Sequence, residues 1–241
     1  PSQSAALVQV PLSFEYSPSS FNLKGSIIPV LKSSKINLVP NLQLDYLLEK
    51  TGVKLQVGVL NKLDINSLHK LYAINPFLLA PDSLTIFQQT DYYAGVEWLG
   101  AKGLQLKFNG GYTVFNDLPL FINGEGSGKE MKVLNESQLT AIHLAGEVNY
   151  TFTPEMEFRS TINVYAFDAQ LSHMEPYGLL PMELKFGFFW KPLKGLTTRV
   201  NADLWRGALY RTPVTKRVKD AADINLGVDY KLNKKWALWV D

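Results

Sequence analysis

The stretch "GEGSGKE", Gly124 to Glu130, carries the glycines and lysine of a phosphate-binding loop. It lacks the four-residue spacer before Gly-Lys and the Ser/Thr after it, and no strand-to-helix context surrounds it, so it reads as a flexible outer loop. His69, His143 and His173 stand far apart with no ligand-like spacing, and no metal site is expected. His143 falls on a polar strand face, where a solvated role suffices. His69 and His173 fall in loops, where they are candidates to meet a ligand or metal.

Cysteine is absent, which removes thiolate sites, cysteine nucleophiles and disulfides and fits an oxidising or extracytoplasmic compartment. No Gly-x-Ser-x-Gly is present and no Ser/His/Asp set can be assembled, so the chain is not expected to be an enzyme. Glu147 and Glu157, on the two strands of one hairpin, could in principle share acid/base work. Polar side chains hydrating a wide interior account for them at lower cost. The triplets Asn135-Glu136-Ser137 and Asn149-Tyr150-Thr151 match a glycosylation acceptor by chance, and no cofactor is expected.

The groups best placed to recognise something lie in two long segments. Loop 61–89 offers His69, Lys70, Tyr72, Asn75 and Phe77, and loop 206–221 offers Arg206, Arg211, Lys216, Arg217 and Lys219. The ligand-binding candidates are His69, Lys70, Tyr72, Asn75, His173, Arg206 and Arg211, because loops on a rigid scaffold carry binding residues. The competing expectations are a self-packed lid for the first loop and a solvated basic loop for the second. The elements that hold these loops therefore matter most.

The totals narrow the possibilities. The chain has 241 residues, 46% hydrophobic, with 24 basic and 22 acidic residues giving a net charge of +2. No basic patch or acidic tail points to nucleic acid. No run approaches the roughly 18 apolar residues of a spanning helix, which excludes a helical membrane protein.

Alternation is the dominant pattern. From Ile142 to Tyr150 and from Met156 to Ala166 the even positions are apolar, aromatic or small, while the odd ones hold His143, Glu147, Asn149, Glu157, Arg159 and Asn163. A period of two means strands, whose side chains point alternately to opposite faces. Strands are expected near 7–16, 21–30, 36–48, 53–60, 90–99, 104–115, 140–150, 156–167, 180–190, 196–205, 222–232 and from 236, with no amphipathic helix. Pro11, Pro29, Pro40 and Pro181 lie in or beside these strands and call for bulges or strand ends. The polar face collects Glu97, Lys107, His143, Glu147, Glu157, Arg159, Glu183, Arg199, Asp203 and Asp229.

Two further regularities choose between a soluble core and lipid. Short turns ("SPSS", "EKTG", "LGAKG", "TFTPE", "KPLKG", "LNKK") follow every odd strand, whereas most even strands lead into long segments, with "LKSSK" a short exception. This is the loop asymmetry of an outer-membrane barrel. Before each short turn, on the apolar face, stands an aromatic: Tyr16, Tyr46, Trp98, Tyr150, Trp190 and Tyr230. Such rings favour the headgroup level and mark a membrane interface. A soluble sandwich also alternates, but it does not require that aromatic, and twelve strands closed into a soluble barrel would leave a lumen too wide to fill. The expected fold is an all-β, antiparallel, up-and-down transmembrane β-barrel. The chain, 1–241, would be a single partial barrel domain of about twelve strands.

With short turns in the periplasm, the first strand runs down and the last runs up, so at least one strand is expected before Pro1 and one after Asp241. The run "LHKLYAINPFLLAPDSLTIFQQTDYYAGVEWLGAKGLQLKFNGGYTVFNDLPLFING" and the closing "DINLGVDYKLNKKWALWVD" resemble the C-terminal part of TonB-dependent-receptor-type outer-membrane proteins. In that family an Asn-Pro-Phe loop leads into a "YYxG" strand, a tight turn, a glycine-containing strand and a "PLF" loop. The resemblance implies a 22-stranded barrel, of which these would be strands ten to twenty-one, with the plug domain and the final strand outside this chain. It implies uptake of a scarce solute through a plugged lumen of the Gram-negative outer membrane, with metal chelates, cobalamin-like molecules and glycans all open as solutes. The implied partners are outer-membrane lipid and lipopolysaccharide, the protein's own N-terminal plug and the TonB system, and a surface lipoprotein or other complex subunit, but no nucleic acid. The alternative is a plugless barrel acting as a structural or assembly and secretion scaffold.

Overall fold

The structure is a computed structural model that describes residues 11–32, 35–81, 84–100, 103–124, 130–168, 175–211, 214–233 and 236–240. Its body is one antiparallel sheet of twelve strands in which every strand pairs with its neighbours in sequence order. These are β1 (Leu12–Tyr16), β2 (Phe21–Lys32), β3 (Lys35–Leu48), β4 (Val53–Ile65), β5 (Ile86–Leu99), β6 (Leu104–Asn123), β7 (Met131–Thr153), β8 (Met156–Asp168), β9 (Met182–Leu193), β10 (Leu196–Arg206), β13 (Ala221–Lys231) and β14 (Ala237–Val240). The short α1 (Leu68–Ile74) and the small hairpin β11 (Leu209–Arg211) and β12 (Thr215–Arg217) lie in long connections. The sheet is not closed: β1 and β14 are its two ends. The up-and-down, all-β architecture is the one the alternation predicts.

Register assigns every strand residue to a face, because directly opposed residues in an antiparallel pair point the same way. Tyr150 opposes Leu104 and Phe158, Val148 opposes Leu106 and Ser160, and Leu144 opposes Gly110 and Val164. The same phase runs from β5, where Trp98 opposes Leu106, to β13, where Tyr230 opposes Leu196. It reaches β3 through Leu55, the partner of Tyr46 and Val96. One face is thus predominantly apolar, and its large side chains, among them Leu38, Phe108, Leu144 and Leu226, stay exposed. The six turn-side aromatics share that face.

Pro11 and Pro181 meet the expectation of a strand end, whereas Pro29 and Pro40 lie inside β2 and β3, and none of the four sits at a bulge. Pro29 opposes Leu38 and Pro40 opposes Ile27 without a bulge. Pro40 instead marks where the β3–β4 ladder stops, since pairing begins only at Leu42–Val59 and Asn61 N–H donates to the Asn41 side chain at 2.5 Å. Pro11 and Pro181 immediately precede β1 and β9.

The larger departure is in β6 and β7, which continue as a hairpin through most of a segment expected to be loop, 116–139. At Asp117, with φ 55, the backbone enters the left-handed region and the pairing skips one residue on each strand. Below it the odd residues Phe115, Leu139 and Ala141 form a buried cluster. Above it the even residues Leu120 and Ile122 are buried with Tyr177, and Leu118 packs against both clusters. The turn at Asp117 therefore swaps the faces. That swap hides the strand from a period-two reading.

Strand glycines give room to aromatic rings. A Cβ on Gly58 would lie 2.9 Å from the Tyr93 ring, one on Gly111 2.8 Å from the His143 ring, and one on Gly146 3.2 Å from the Phe108 ring. Each ring lies over the backbone of an adjacent strand, covering a surface that glycine leaves bare.

Candidate functional site

The polar face is where the sheet gathers its chemistry. Lys54, Glu97, Lys107, Glu147, Thr161, Lys185, Asp203 and Asp223 are successive partners across eight strands, a row of mostly alternating charge. Lys54 is ion-paired with Glu97, and Gln105 donates to the other side of that carboxylate at 2.8 Å. Lys185 pairs with Glu183 at 3.0 Å, Arg199 with Asp229 at 3.2 Å, and Arg159 with Glu157 at 2.6 Å. The Arg159 guanidinium also lies 5.3 Å from the Phe189 ring centre, within cation–π range. Glu147 accepts from Asn149 at 2.7 Å. All ten polar-face residues singled out in the sequence lie on this one face.

Higher on the same face is a buried knot whose members carry the polar-face phase but whose contacts with one another the sequence does not show. The Thr113 hydroxyl donates to Asp91 at 2.8 Å and sits 3.2 Å from His143 Nδ1, which is 3.4 Å from the same carboxylate. Tyr165 packs beside the imidazole, with ring centres 5.8 Å apart. Nearby, Asp45 accepts from Gln43 and Gln56. Thr113, Tyr93 and Tyr165 all carry the odd phase of the polar face, a signal that strict alternation contains. A hydroxyl tied to a carboxylate beside a histidine resembles a nucleophile set, but here Thr113 points its proton at Asp91, so the imidazole is not its base. Among the described residues no group of three metal-ligating side chains converges.

The outer loops are packed structures in their own right. Ser67 caps α1 by accepting from Lys70 N–H, and Leu71 is buried. Asn75 ends the helix, its N–H donating to Leu71 O at 2.9 Å and its side chain accepting from Phe77 N–H at 3.0 Å. Lys70 is ion-paired with Asp64. That lysine draws the Asp64 carboxyl below its ordinary range, mainly by hydrogen bonding. Asn66 donates to Thr85 and to Asp117 O, and Thr85 donates to Asn135, so this loop is stitched to the β6–β7 hairpin. On the other flank Tyr177 is buried with Leu120, its hydroxyl 2.9 Å from Thr215, and Gly178 N–H donates to Leu209 O.

The ligand-binding candidates are thus split. His69, Lys70, Tyr72 and Asn75 sit on or at the end of α1, while Arg206 ends β10 and Arg211 ends β11. Asn75 and Lys70 are already engaged, His69 and Tyr72 are exposed, and His173 lies outside the described residues. Most of "GEGSGKE" lies outside them too.

No protein-family model matches the chain, and no curated protein sequence does. Solved structures do match. The siderophore receptor PirA from Acinetobacter baumannii matches with a TM-score of 0.67 at 11% identity, over 95% of this chain and 40% of that one. The ferric enterobactin receptor PfeA from Pseudomonas aeruginosa gives 0.66 at 13%, over 93% and 38%. The copper transporter OprC gives 0.62 at 12%, over 92% and 39%. The fold is that of the TonB-dependent-receptor barrel. The chain spans about two-fifths of the length of these receptors, and they are named as transporters and receptors rather than enzymes.

Proposed function

We propose that this chain forms part of the wall of a TonB-dependent-receptor-like barrel in the outer membrane of a Gram-negative bacterium, and that the whole protein takes up a scarce solute. The observation that carries this is the single phase that all twelve strands share between the short turns and the level of Tyr92 and Tyr112, below the switch at Asp117. Its apolar face would meet lipid and its polar face would line the lumen.

Dimensions agree with this. From Tyr150 to Ile142 the apolar face of β7 covers eight residue steps, about 27 Å of strand at ~3.4 Å per residue. Tilted by about 40°, that is roughly 20 Å of membrane, close to the ~25 Å apolar band of such barrels. The band ends sharply on the long-loop side. Tyr92 opposes Tyr112, and above them the apolar face turns polar with Asn61, to which Thr90 donates at 2.6 Å. Aromatics at both borders are what two interfaces require.

In this reading the charged row and the Asp91–Thr113–His143 knot keep the lumen wall wet and rigid, and specificity resides in the packed outer loops. Glu97, Lys107, His143, Glu147, Glu157, Arg159, Glu183, Arg199, Asp203 and Asp229 line the passage, and a plug with the TonB system would gate it. The test is uptake by the full-length protein in a host lacking its own receptors. Growth on the solute should need both the gene and an intact TonB system. Growth that is indifferent to TonB would instead favour the scaffold alternative.

A further inference from the structure

The wall has a slit on the side away from the short turns. β3 stays paired with β2 up to Lys32–Lys35, and β4 with β5 up to Ile65–Ile86, yet β3 and β4 are joined only from Leu42–Val59 downward. Among the described residues, no ladder joins Asn41 to Ile36 of β3 with Leu60 to Ile65 of β4. Pro40 begins the break, because its carbonyl faces β4 and it has no N–H to offer there. Beyond it, side chains cap backbone groups that a ladder would have used. Asn61 N–H donates to the Asn41 side chain at 2.5 Å, the Asn61 amide donates to Pro40 O at 2.6 Å, and Ile65 N–H donates to Asp64 at 2.9 Å. A bare strand edge is costly beside lipid, and these caps let the two edges stand apart.

The slit is apolar on both sides of the wall. On the lipid side Ile36 and Leu38 are exposed. On the lumen side Val39, which opposes Ile28, is buried, and Leu60, the partner of Asp91, is an exposed leucine on the polar face. At the foot of the slit a hollow of about 370 Å³ reaches from Leu60 and Asn41 to the Lys24–Glu15 ion pair, and it also touches Phe14 and Leu42 of the lipid face. The two sides of the wall meet here.

We infer that the slit admits the apolar tail of an amphiphilic solute whose polar head travels in the lumen. The tail lies between Leu38 and Leu60 with its end in the bilayer, and the head occupies the hollow beside Lys24, Glu15 and Gln43. Two observations choose this occupant. An inserted peptide strand would need free backbone groups on both edges, and the caps at Pro40, Asn61 and Ile65 have taken several of them. One ladder is missing between two that are intact, which leaves room for a single tail. The inference rests on the proposed reading of the two faces and names the class of solute within it.

The test uses the full-length protein in phospholipid vesicles, with palmitic acid carrying a mid-chain diazirine as the probe and labelled residues read by mass spectrometry. Leu144, on the lipid face of β7, should be labelled as a measure of bilayer contact. Leu60 and Val39, which bulk lipid cannot reach through an intact wall, should be labelled too. A two-tailed phospholipid with the same diazirine should label Leu144 and spare Leu60. Leu60→Asp should lower labelling of Val39 about tenfold, the factor given by roughly two lost methylene contacts, and leave Leu144 unchanged. Heat-modifiable gel mobility verifies that the variant is folded, and Leu60→Gln takes its place if the aspartate prevents folding. The Leu38 and Leu63 amides should exchange hydrogen faster than those of Leu44 and Val57, which are paired on the same two strands. Labelling confined to the lipid face, equal labelling of Leu60 by the phospholipid, or slow exchange at Leu38 and Leu63 would overturn the inference. These outcomes mean, in turn, a shut wall, a resident lipid and a slit filled by a strand. No labelling at Leu144 would sink the membrane reading itself, a result distinct from a lipid-facing wall that is shut.

Discussion

At the scale of residues, close contacts of backbone and ring decide most. Gly111 is the sharpest case, because a Cβ there would lie 2.3 Å from Tyr92 O as well as against the His143 ring. The ring could move but the backbone oxygen could not. Gly111→Ala should therefore destabilise by about 1–3 kcal/mol, as overpacking does, and adding His143→Ala should not rescue it. The temperature at which heat-modifiable mobility is lost gives the measure, and a rescue by the double variant would contradict the backbone origin. Asp64 supports a pH prediction. Its folded-state pKa is lowered by Lys70, so the pair's contribution is complete above the unfolded carboxylate value of about 4 and disappears as pH falls through the lower folded value. The side chains are 52% and 40% exposed, so the effect is small, within the ~0.2–1 kcal/mol of exposed pairs. Hydrogen exchange of α1, corrected for intrinsic rates, should show protection lost toward acid pH, and Lys70→Ala should abolish that dependence.

Elements show how much the sequence could reveal. All twelve sheet strands are legible from alternation, since a face meeting lipid and a face meeting water impose opposite chemistry on neighbouring residues. The extension of β6 and β7 is not legible, because Asp117 reverses which residues are apolar and a period of two then appears to end. The seven-residue α1 and the three-residue strands β11 and β12 are too short to show any period. Within the site, the odd-phase acids and bases are legible, but the pairing of Thr113 with Asp91 depends on the register between β5 and β6, which joins residues 22 apart in sequence. Asp117→Val should cost about 1–2 kcal/mol through its left-handed backbone, while Asp117→Gly should be tolerated. Tyr177→Ala should free the 175–181 segment for proteolysis without lowering the barrel's own heat stability, because Tyr177 ties loops rather than strands. Tyr177→Phe, which loses only the bond to Thr215, should stay resistant.

For the whole molecule, the central claim is that one face of the sheet meets lipid and the other a wet lumen. This chain has no cysteine, so an introduced thiol gives a direct test once any cysteine elsewhere in the full-length protein is replaced. Spin labels placed one at a time from Leu144 to Tyr150 in the full-length, membrane-embedded protein report collisions with oxygen, which prefers lipid, and with a water-soluble nickel chelate. The account predicts oxygen-dominated collisions at positions 144, 146 and 148 and nickel-dominated collisions at 145, 147 and 149. Equal exposure at all positions, or the opposite phase, would contradict it.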